Sequence, residues 1–339
     1  MTVLFCADES FRDHDSGPGH PERSARVDAA AAGMEAHHLE EMTLPLAPRD
    51  ATDEELERVH RSDHVQRVER FCELGGGQID ADTVVGLRSA QLARQGSGTL
   101  LAAVQRLEHG EASAAFVVAR PPGHHATADR AMGFCLYNHV AVVAAALAAT
   151  GRRVAVVDID AHHGNGTQDI FFDRGDVFYV SWHQSPHYPY SGRAEEVGRG
   201  AGHGATLNVP LPAGATGDVY RRSIADLVAP ALDDWDVEWL LVSAGFDTHR
   251  ADPLCDLALS SGDVADIVTD LCSLVPEGRV AALLEGGYDL RAVADCTAAT
   301  VAALAGVRLH PEEPTSGGPG GHFVDAAIRA RQQTLGAGT

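Results

Sequence analysis

Short, almost wholly apolar runs alternate along this chain with longer alanine-rich stretches. The runs are four or five residues long and rich in valine and leucine, a pattern typical of strands that are buried on both faces. Six strands are predicted, at residues 3–6, 115–118, 154–157, 177–180, 239–242 and 280–284. Helices are predicted at residues 138–149, 219–232 and 261–274.

Alternation of strand and helix predicts an α/β protein in which helices cover both faces of a parallel sheet, a three-layer αβα sandwich. The chain shows no internal repeat, so we expect a single domain over residues 1–339. Within it, residues 311–321 form a loop rich in glycine and proline, and residues 322–335 are predicted to form a C-terminal helix.

The composition is that of a globular protein, with 45% hydrophobic and 22% charged residues. There is no apolar run of membrane-spanning length and no signal-peptide pattern, so we expect a cytoplasmic protein without a membrane partner. The cysteines are scattered without a C-x-x-C pair and are expected to be reduced thiols. They are Cys6, Cys72, Cys135, Cys255, Cys272 and Cys296.

The chain is strongly acidic, because 26 basic residues, all of them arginine, face 48 acidic residues. The resulting formal charge of -22 repels phosphate backbones and favours cationic partners. We therefore expect no nucleic-acid partner, although the acidity is equally compatible with adaptation to salt or with a genome-wide composition. No surface pattern predicts an oligomeric state.

Polar motifs follow the predicted strands, at the edge where open parallel sheets bind their ligands. These motifs are RPPGHHA at 120–126, DIDAHHGNG at 158–166, SWH at 181–183, SAGFD at 243–247 and EGGY at 285–288. A single histidine or aspartate in a loop usually caps a helix or satisfies the backbone. Five such loops at one edge favour a catalytic site instead.

A metal centre is predicted from Asp160 and His162, since alternate residues of an extended segment face the same side. Asp247 is the best third ligand, and three protein ligands leave a position for water and substrate. A metal held in this way acidifies water and polarises a carbonyl group. Carboxylate and imidazole ligands suit Zn²⁺, with Fe²⁺, Co²⁺ or Mn²⁺ as substitutes.

The adjacent residues His124 and His125 suit acid and base roles if different partners separate their pKa values. Asp158 and Asn165 are suitable partners, and only the aspartate can neutralise an imidazolium. The sequence does not decide which histidine is the base and which the acid; we favour His125 as the base, on the grounds that Asp158 would hold His124 protonated. Tyr288, which follows Gly286 and Gly287 in a turn, is predicted to donate its hydroxyl to a developing oxyanion.

Taken in order and spacing, these motifs resemble the histone deacetylase family, with the closest similarity to its class II branch and to bacterial histone deacetylase-like amidohydrolases. GHPER at 19–23, GFCLYN at 133–138 and EGGYD at 285–289 add to the resemblance. It implies the arginase–deacetylase fold, with a parallel sheet of about eight strands. It also implies Zn²⁺ bound by Asp160, His162 and Asp247.

The resemblance assigns catalytic roles to His124, His125 and Tyr288, with Asp158 and Asn165 as the partners of the two histidines. It places Arg26 beside an internal acetate channel. Structural K⁺ or Na⁺ ions are implied at two sets of positions. The first is Asp158, Asp160, His162, Ser181 and Trp182, and the second is Phe171, Arg174 and Val177.

Aromatic walls beside the lysine stem of a substrate are implied at Phe134 and Tyr188. For these two side chains, ordinary core packing is the alternative explanation. The remaining pocket residues implied by the resemblance are Gly133, Leu254 and Gly287.

The implied reaction is hydrolysis of N-acetyl-lysine or another N-acyl-lysine, in a protein or a small molecule, to a carboxylate and a free amine. The first alternative is hydrolysis of an acetylpolyamine or another small acylated amine. Polyamine-selective relatives carry a glutamate after an Asp-Pro pair, whereas this chain has Leu254 there, which favours lysine substrates. The second alternative is a binding module without catalysis, which the retained Tyr288 disfavours. His139 stands where relatives often carry asparagine, a difference that the sequence does not explain.

Overall fold

A parallel sheet of eight strands runs through the centre of the computed structural model, which describes residues 1–336. Its strands lie in the order β2-β1-β5-β10-β9-β6-β7-β8, and β3 and β4 form a separate antiparallel pair. The strands are β1 (Val3–Cys6), β2 (Thr43–Pro45), β3 (Gly77–Gln78), β4 (Val84–Val85), β5 (Ala114–Val117), β6 (Val154–Asp158), β7 (Val177–Gln184), β8 (Thr206–Leu211), β9 (Trp239–Ala244) and β10 (Val280–Leu284).

Helices connect these strands and cover the sheet. They are α1 (Ala25–Ala36), α2 (Asp53–Leu56), α3 (Ser62–Glu73), α4 (Ser89–Glu108), α5 (His139–Ala148), α6 (Asn165–Phe171), α7 (Gly217–Ser223), α8 (Ala229–Trp235), α9 (Ser261–Cys272), α10 (Leu290–Leu304) and α11 (Gly321–Gly336). Short 3₁₀ turns occur at Glu9–Asp13, Glu40–Met42 and Gly200–Gly202. Within residues 1–336, no helix combines the length and the apolarity needed to cross a membrane.

Two groups of helices flank the sheet. In one group α1 packs on α10, α10 on α9, and α9 on α7, while in the other α4 packs on α5 and α3 packs on α4. The sheet between them is buried along its central strands, since every residue of β5, β6, β7, β9 and β10 is buried. The three-layer αβα sandwich predicted from the sequence is confirmed.

All six predicted strands are present, but two sheet strands were missed. β2 is only three residues long and partly exposed, and β8 mixes threonine, asparagine and proline with apolar residues. Neither has the continuous apolar run that marks a buried strand. β7 is also longer than predicted and includes Ser181 and Trp182, because its parallel pairing with β8 continues as far as Gln184.

The predicted helix at 219–232 is interrupted in the structure. α7 ends at Ser223, a π-helical turn covers Ile224–Val228, and α8 follows. The terminal helix begins at Gly321, one residue before the predicted start. The loop at 311–321 is held against the domain, since the Thr315 amide donates to Asp263 at 2.9 Å and His249 pairs with Glu312 at 2.6 Å. These contacts support our proposal of a single domain.

His139, the residue that the sequence left unexplained, joins helix α4 to the segment that precedes the tandem histidines. Its Nε2–H donates to the carbonyl of Pro121 at 3.0 Å, and its Nδ1 lies 2.9 Å from the Ser97 hydroxyl. The ring packs between Gly96 and Gly123, where a Cβ would come within 2.8 Å of it. Glycine at these two positions therefore provides the space that this imidazole occupies.

Acid should destabilise the fold through its buried neutral histidines. Burial lowers the pKa of His139 to about 4, and burial together with His64 lowers that of His60 to about 3. Because the unfolded chain binds these protons more readily below about pH 6.5, stability falls as pH falls, by about 1.4 kcal/mol per pH unit for each histidine. This loss continues until the pH reaches the folded-state pKa.

The His139→Asn variant should therefore lose about 1 kcal/mol less than the parent between pH 7.5 and pH 5.5. The measurement is urea unfolding of both proteins at the two pH values. His109→Asn, which changes an exposed histidine, is the control and should behave like the parent. Equal pH dependence in the parent and His139→Asn would contradict the prediction.

Candidate active site

The polar motifs meet at the carboxyl edge of five neighbouring strands, β5, β10, β9, β6 and β7. Each of these strands ends at this edge, and the loop that follows it carries part of the site. The residues brought together are His124, His125, Asp158, Asp160, His162, Asn165, Tyr188, Asp247 and Tyr288. Most of them are almost fully buried, which requires every charge among them to have a partner.

Three candidate metal ligands, Asp160, His162 and Asp247, converge at the centre of this edge. Nδ1 of His162 lies 3.1 Å from Oδ1 of Asp160 and 3.0 Å from Oδ2 of Asp247. One ligand atom from each of the three residues lies within 4.8 Å of the others. Asp160 and Asp247 are both completely buried.

The two carboxylates are held in place by backbone amides. Those of Ala161 and Gly286 donate to Asp247 at 2.7 Å and to Asp160 at 2.8 Å, respectively. A Cβ on Gly245 would lie 2.1 Å from Oδ2 of Asp160, and one on Gly286 would lie 2.2 Å from Oδ2 of Asp247. Glycine in both motifs therefore leaves the space in which the carboxylates approach each other.

These residues fit a divalent cation. Burial and the charge of Asp160 raise the pKa of Asp247 to about 7, as expected for two buried carboxylates that approach each other. Two carboxylates and one imidazole are the mixed oxygen and nitrogen donors that Zn²⁺ accepts, and three protein ligands are typical of a catalytic zinc site.

His124 is placed to carry a positive charge. Its Nδ1 donates to Oδ2 of Asp158 at 3.0 Å, and its Nε2 lies 3.9 Å from Oδ1 of Asp160. Burial opposes the imidazolium, but Asp158 and Asp160 outweigh it and raise the pKa of His124 to about 10. Tyr179 adds a hydroxyl that donates to the same Asp158 oxygen at 3.3 Å.

His125 lies in the opposite electrostatic environment. Its Nδ1 donates to the amide oxygen of Asn165 at 2.8 Å, a partner without charge. Burial, with the charges of His124 and His162, lowers the pKa of His125 well below its ordinary value. The ring centroids of the two adjacent histidines are only 4.0 Å apart, so protonation of one disfavours protonation of the other.

Tyr288 and Arg26 lie on the strand β10 side of the site. Gly287, with a φ of +112°, lets the chain turn so that the Tyr288 ring reaches the cavity. The Arg26 guanidinium lies 5.3 Å from the centre of that ring, and its Nε donates to the Gly287 carbonyl at 2.7 Å. Arg26 is buried and paired with Glu22, which also accepts from Arg120.

A cavity of about 220 Å³ opens onto these groups. Phe134, Tyr188, Gly133 and Leu254 line this cavity, and Gly286 rather than its neighbour Gly287 contributes to the wall. A Cβ on Gly133 would come within 2.4 Å of the His125 ring. The further lining residues, which the sequence interpretation missed, are Asp82, Pro122 and His187.

Two further acidic residues position the site and were not identified as such from the sequence. Glu285 accepts the backbone amides of Gly123 at 2.7 Å and His124 at 3.1 Å, and so fixes the loop of tandem histidines. Asp252 accepts the amides of Tyr288 at 2.7 Å and Leu254 at 2.9 Å. Glu285 stands in the EGGY motif and Asp252 lies outside the quoted motifs, and the amides of Gly123, His124 and Tyr288 that reach them come from distant parts of the chain.

The positions expected for monovalent cations fall into two places. Asp158 and Ser181 are paired across β6 and β7, and Trp182 follows in β7, where its indole donates to Ser223 at 2.6 Å. Phe171, Arg174 and Val177 surround the turn between α6 and the start of β7, and the Arg174 guanidinium lies 4.9 Å from the Phe171 ring centre.

Comparison with known proteins agrees with the geometry. A family profile described as a histone deacetylase domain matches residues 20–304. The chain belongs to the histone deacetylase family. This membership supports an amidohydrolase activity for the chain.

Curated relatives come from distant organisms. The histone deacetylase-like amidohydrolase of Pseudomonas aeruginosa is 40% identical over 271 residues, which cover 78% of this chain and 71% of that protein. A probable deacetylase of Archaeoglobus fulgidus is 34% identical over 91% of this chain and 88% of its own length. Histone deacetylase 15 of Arabidopsis thaliana is 37% identical over 88% of this chain, which spans 55% of that protein.

The fold is also that of a solved family member. The crystal structure of the HDA15 HD domain superposes with a TM-score of 0.90 at 33% sequence identity. The match covers 98% of this chain and 94% of that chain. The arginase–deacetylase type of α/β fold expected from the motifs is thus confirmed.

Metal binding should depend on the buried carboxylates. We expect the parent protein to bind one divalent ion tightly when one equivalent of Zn²⁺ is supplied. Asp247→Asn should weaken this binding by at least about 100-fold, because the variant loses a carboxylate ligand and half of the negative charge that attracts the ion. Competition with a chromophoric chelator measures the affinity.

The matched control is Asp256→Asn, which changes an exposed aspartate in the neighbouring loop. Its affinity should equal that of the parent. A variant at Asp247 that keeps parental affinity would exclude this residue as a ligand.

Proposed function

We propose that this protein hydrolyses N-acyl-lysine, with N-acetyl-lysine as the reference substrate, by a metal-dependent mechanism. The observation that carries the proposal is the pair of adjacent histidines in opposite electrostatic environments, beside three candidate metal ligands in one cavity. A protein that only bound its ligand would not require two adjacent histidines whose pKa values are shifted in opposite directions. Two titratable groups with separated pKa values are typical of paired acid and base catalysis.

The histidines supply the proton transfers. His125, neutral and oriented by Asn165, accepts a proton from the water that attacks the acyl carbon. His124, held as an imidazolium by Asp158, donates a proton to the amine nitrogen as the C–N bond breaks. The products are a carboxylate and a free amine.

The proposed metal is Zn²⁺ held by Asp160, His162 and Asp247, with Fe²⁺ or Co²⁺ as substitutes. When bound, it supplies a Lewis acid that polarises the acyl carbonyl and acidifies water. Tyr288 donates its hydroxyl to the oxygen of the tetrahedral intermediate, where the negative charge develops. Burial raises the pKa of Tyr288 well above its ordinary value, so this hydroxyl keeps its proton at neutral pH.

The cavity suits an extended aliphatic stem. Phe134 and Tyr188 supply aromatic surface along it. Tyr188 packs edge-on against His125, with ring centroids 5.2 Å apart, so it borders the reacting groups directly. An acyl-lysine side chain that enters between the rings of Phe134 and Tyr188 would present its amide to His125.

K⁺ or Na⁺ is proposed as a structural ion at the first of the two expected positions. Asp158 at the end of β6, Asp160 in the loop after it and Ser181 within β7 are all buried, and a monovalent cation there would offset part of the carboxylate charge. Neither Asp158 nor Ser181 is among the residues that line the cavity.

Hydrolysis of a small acylated amine is the second candidate function. Asp82 lines the cavity and offers a carboxylate to a cationic amine, which is the observation in its favour. Leu254 at the rim argues against it, since this apolar side chain is 37% exposed where an acidic residue would select a polyamine. The strongly acidic surface attracts cationic protein substrates and polyamines alike, so it does not separate the two.

Substrate preference is tested with an acetyl-lysine peptide and N-acetylputrescine. We expect turnover of the peptide with at least tenfold higher kcat/KM, loss of activity after chelation, and recovery with Zn²⁺. Preference for N-acetylputrescine would support the second candidate function. Activity that resists chelation would overturn the metal-dependent mechanism.

The role of Tyr288 is tested by Tyr288→Phe, which removes only the hydroxyl. We expect kcat to fall by about 10²–10³-fold, the usual effect of losing one donor to an oxyanion. Tyr190→Phe is the matched control, because Tyr190 is 82% exposed and close in sequence to Tyr188. A Tyr288→Phe enzyme within about threefold of the parent would exclude the proposed donor.

A further inference from the structure

His162 presents its second ring nitrogen to a different set of side chains. While Nδ1 faces the two carboxylates, Nε2 lies 3.6 Å from the sulfur of Cys255. Cys255 follows Leu254 in the loop after β9, and it is only 5% exposed. The thiol therefore lies on the opposite side of the imidazole ring from the candidate metal ligands Asp160 and Asp247.

His187 completes a second cluster on this side. Its ring centroid is 5.1 Å from that of His162. One ligand atom each from His162, His187 and Cys255 lies within 4.8 Å of the others, in a set that is separate from the first centre except for the shared imidazole. Among residues 1–336, Nδ1 of His187 is shielded from solvent yet has no hydrogen-bond partner.

A buried nitrogen without a partner is costly, and a metal ion is one way to satisfy it. Two imidazoles and a thiolate are the donors that Zn²⁺ and Co²⁺ prefer, since these ions accept nitrogen and sulfur ligands. Three protein ligands would leave room for a water molecule. Neither carboxylate of the first centre is needed for this set.

We propose that His162, His187 and Cys255 form a second, regulatory site for Zn²⁺ or a similar divalent ion, sharing His162 with the catalytic centre. Binding releases the protons of the Cys255 thiol and of the His162 Nε2–H group. The four positive charges of two divalent ions are then balanced by two carboxylates, a thiolate and an imidazolate. Charge balance therefore permits both sites to be filled together.

Occupation of this second site should inhibit the enzyme. His187 and Leu254 line the catalytic cavity, so an ion held beside them lies next to the path of the substrate. It also draws electron density from His162, a ligand of the catalytic ion. Only this inhibitory effect rests on the proposed function, because the binding itself does not require catalysis.

The test uses full-length protein loaded with one equivalent of Zn²⁺ and then titrated with Co²⁺. We expect a near-ultraviolet thiolate-to-cobalt charge-transfer band that saturates at one added equivalent. Cys255→Ser should abolish the band, and His187→Ala should weaken Co²⁺ binding by at least tenfold. In the parent, deacylation should fall at least tenfold with the same midpoint as the band.

Cys135→Ser is the matched control, because Cys135 is the other buried thiol close to the site, beside His124 and Glu285. Its band should equal that of the parent. Retention of the first Zn²⁺ equivalent in each variant reports that the site is folded.

Absence of the band in the parent would overturn the proposal, as would a band that survives in Cys255→Ser or disappears in Cys135→Ser. The two proposals fail separately. A normal band in a protein without deacylase activity would leave the second site standing and reject the function. Chelator-sensitive deacylation without the charge-transfer band would support the proposed function and reject the second site.

Discussion

Buried negative charge at one edge of the sheet is the constraint on which the rest of the structure depends. Asp158, Asp160, Asp247 and Glu285 lie within the same few loops, and all are completely buried. Such charges are tolerated only when cations or hydrogen-bond donors compensate them. Backbone amides supply part of the compensation, and glycines at the loop positions allow the close approach that this requires. In the proposed function, a divalent ion would supply the remainder.

The same charges create the difference between the tandem histidines. His124 takes the position beside Asp158 and Asp160 and is stabilised as an imidazolium. His125, one residue away, faces a neutral amide and the positive charge of its neighbour. In the proposed function, the surroundings of each histidine therefore decide which one is the acid and which one the base, since the two side chains are chemically identical. Glu285 fixes the position of both histidines, because it accepts hydrogen bonds from backbone amides of the loop that carries them.

Near Tyr288, a buried network of one glutamate and two arginines supports the chain segment that carries this tyrosine. Glu22 accepts from Arg26 and Arg120, and Arg26 in turn binds the Gly287 carbonyl next to Tyr288. Truncating one member of such a network would leave an unpaired buried charge, which is more costly than the net value of the pair. The position of Tyr288 thus depends on the N-terminal segment of the chain as well as on β10.

The sequence by itself determined the α/β class, the six apolar strands and the five motifs that form the site, because burial on both faces leaves an unmistakable run of apolar residues. The sequence favoured His125 as the base but did not decide it, because only the tertiary structure shows that Asp158 faces His124 and Asn165 faces His125. β2 and β8 were missed because edge strands lack that apolar run. Only the tertiary structure decided the positioning roles of Glu285 and Asp252 and brought His187 and Cys255 together beside His162. Contacts between residues that are distant along the chain depend on the packing of the loops and leave no local pattern to read.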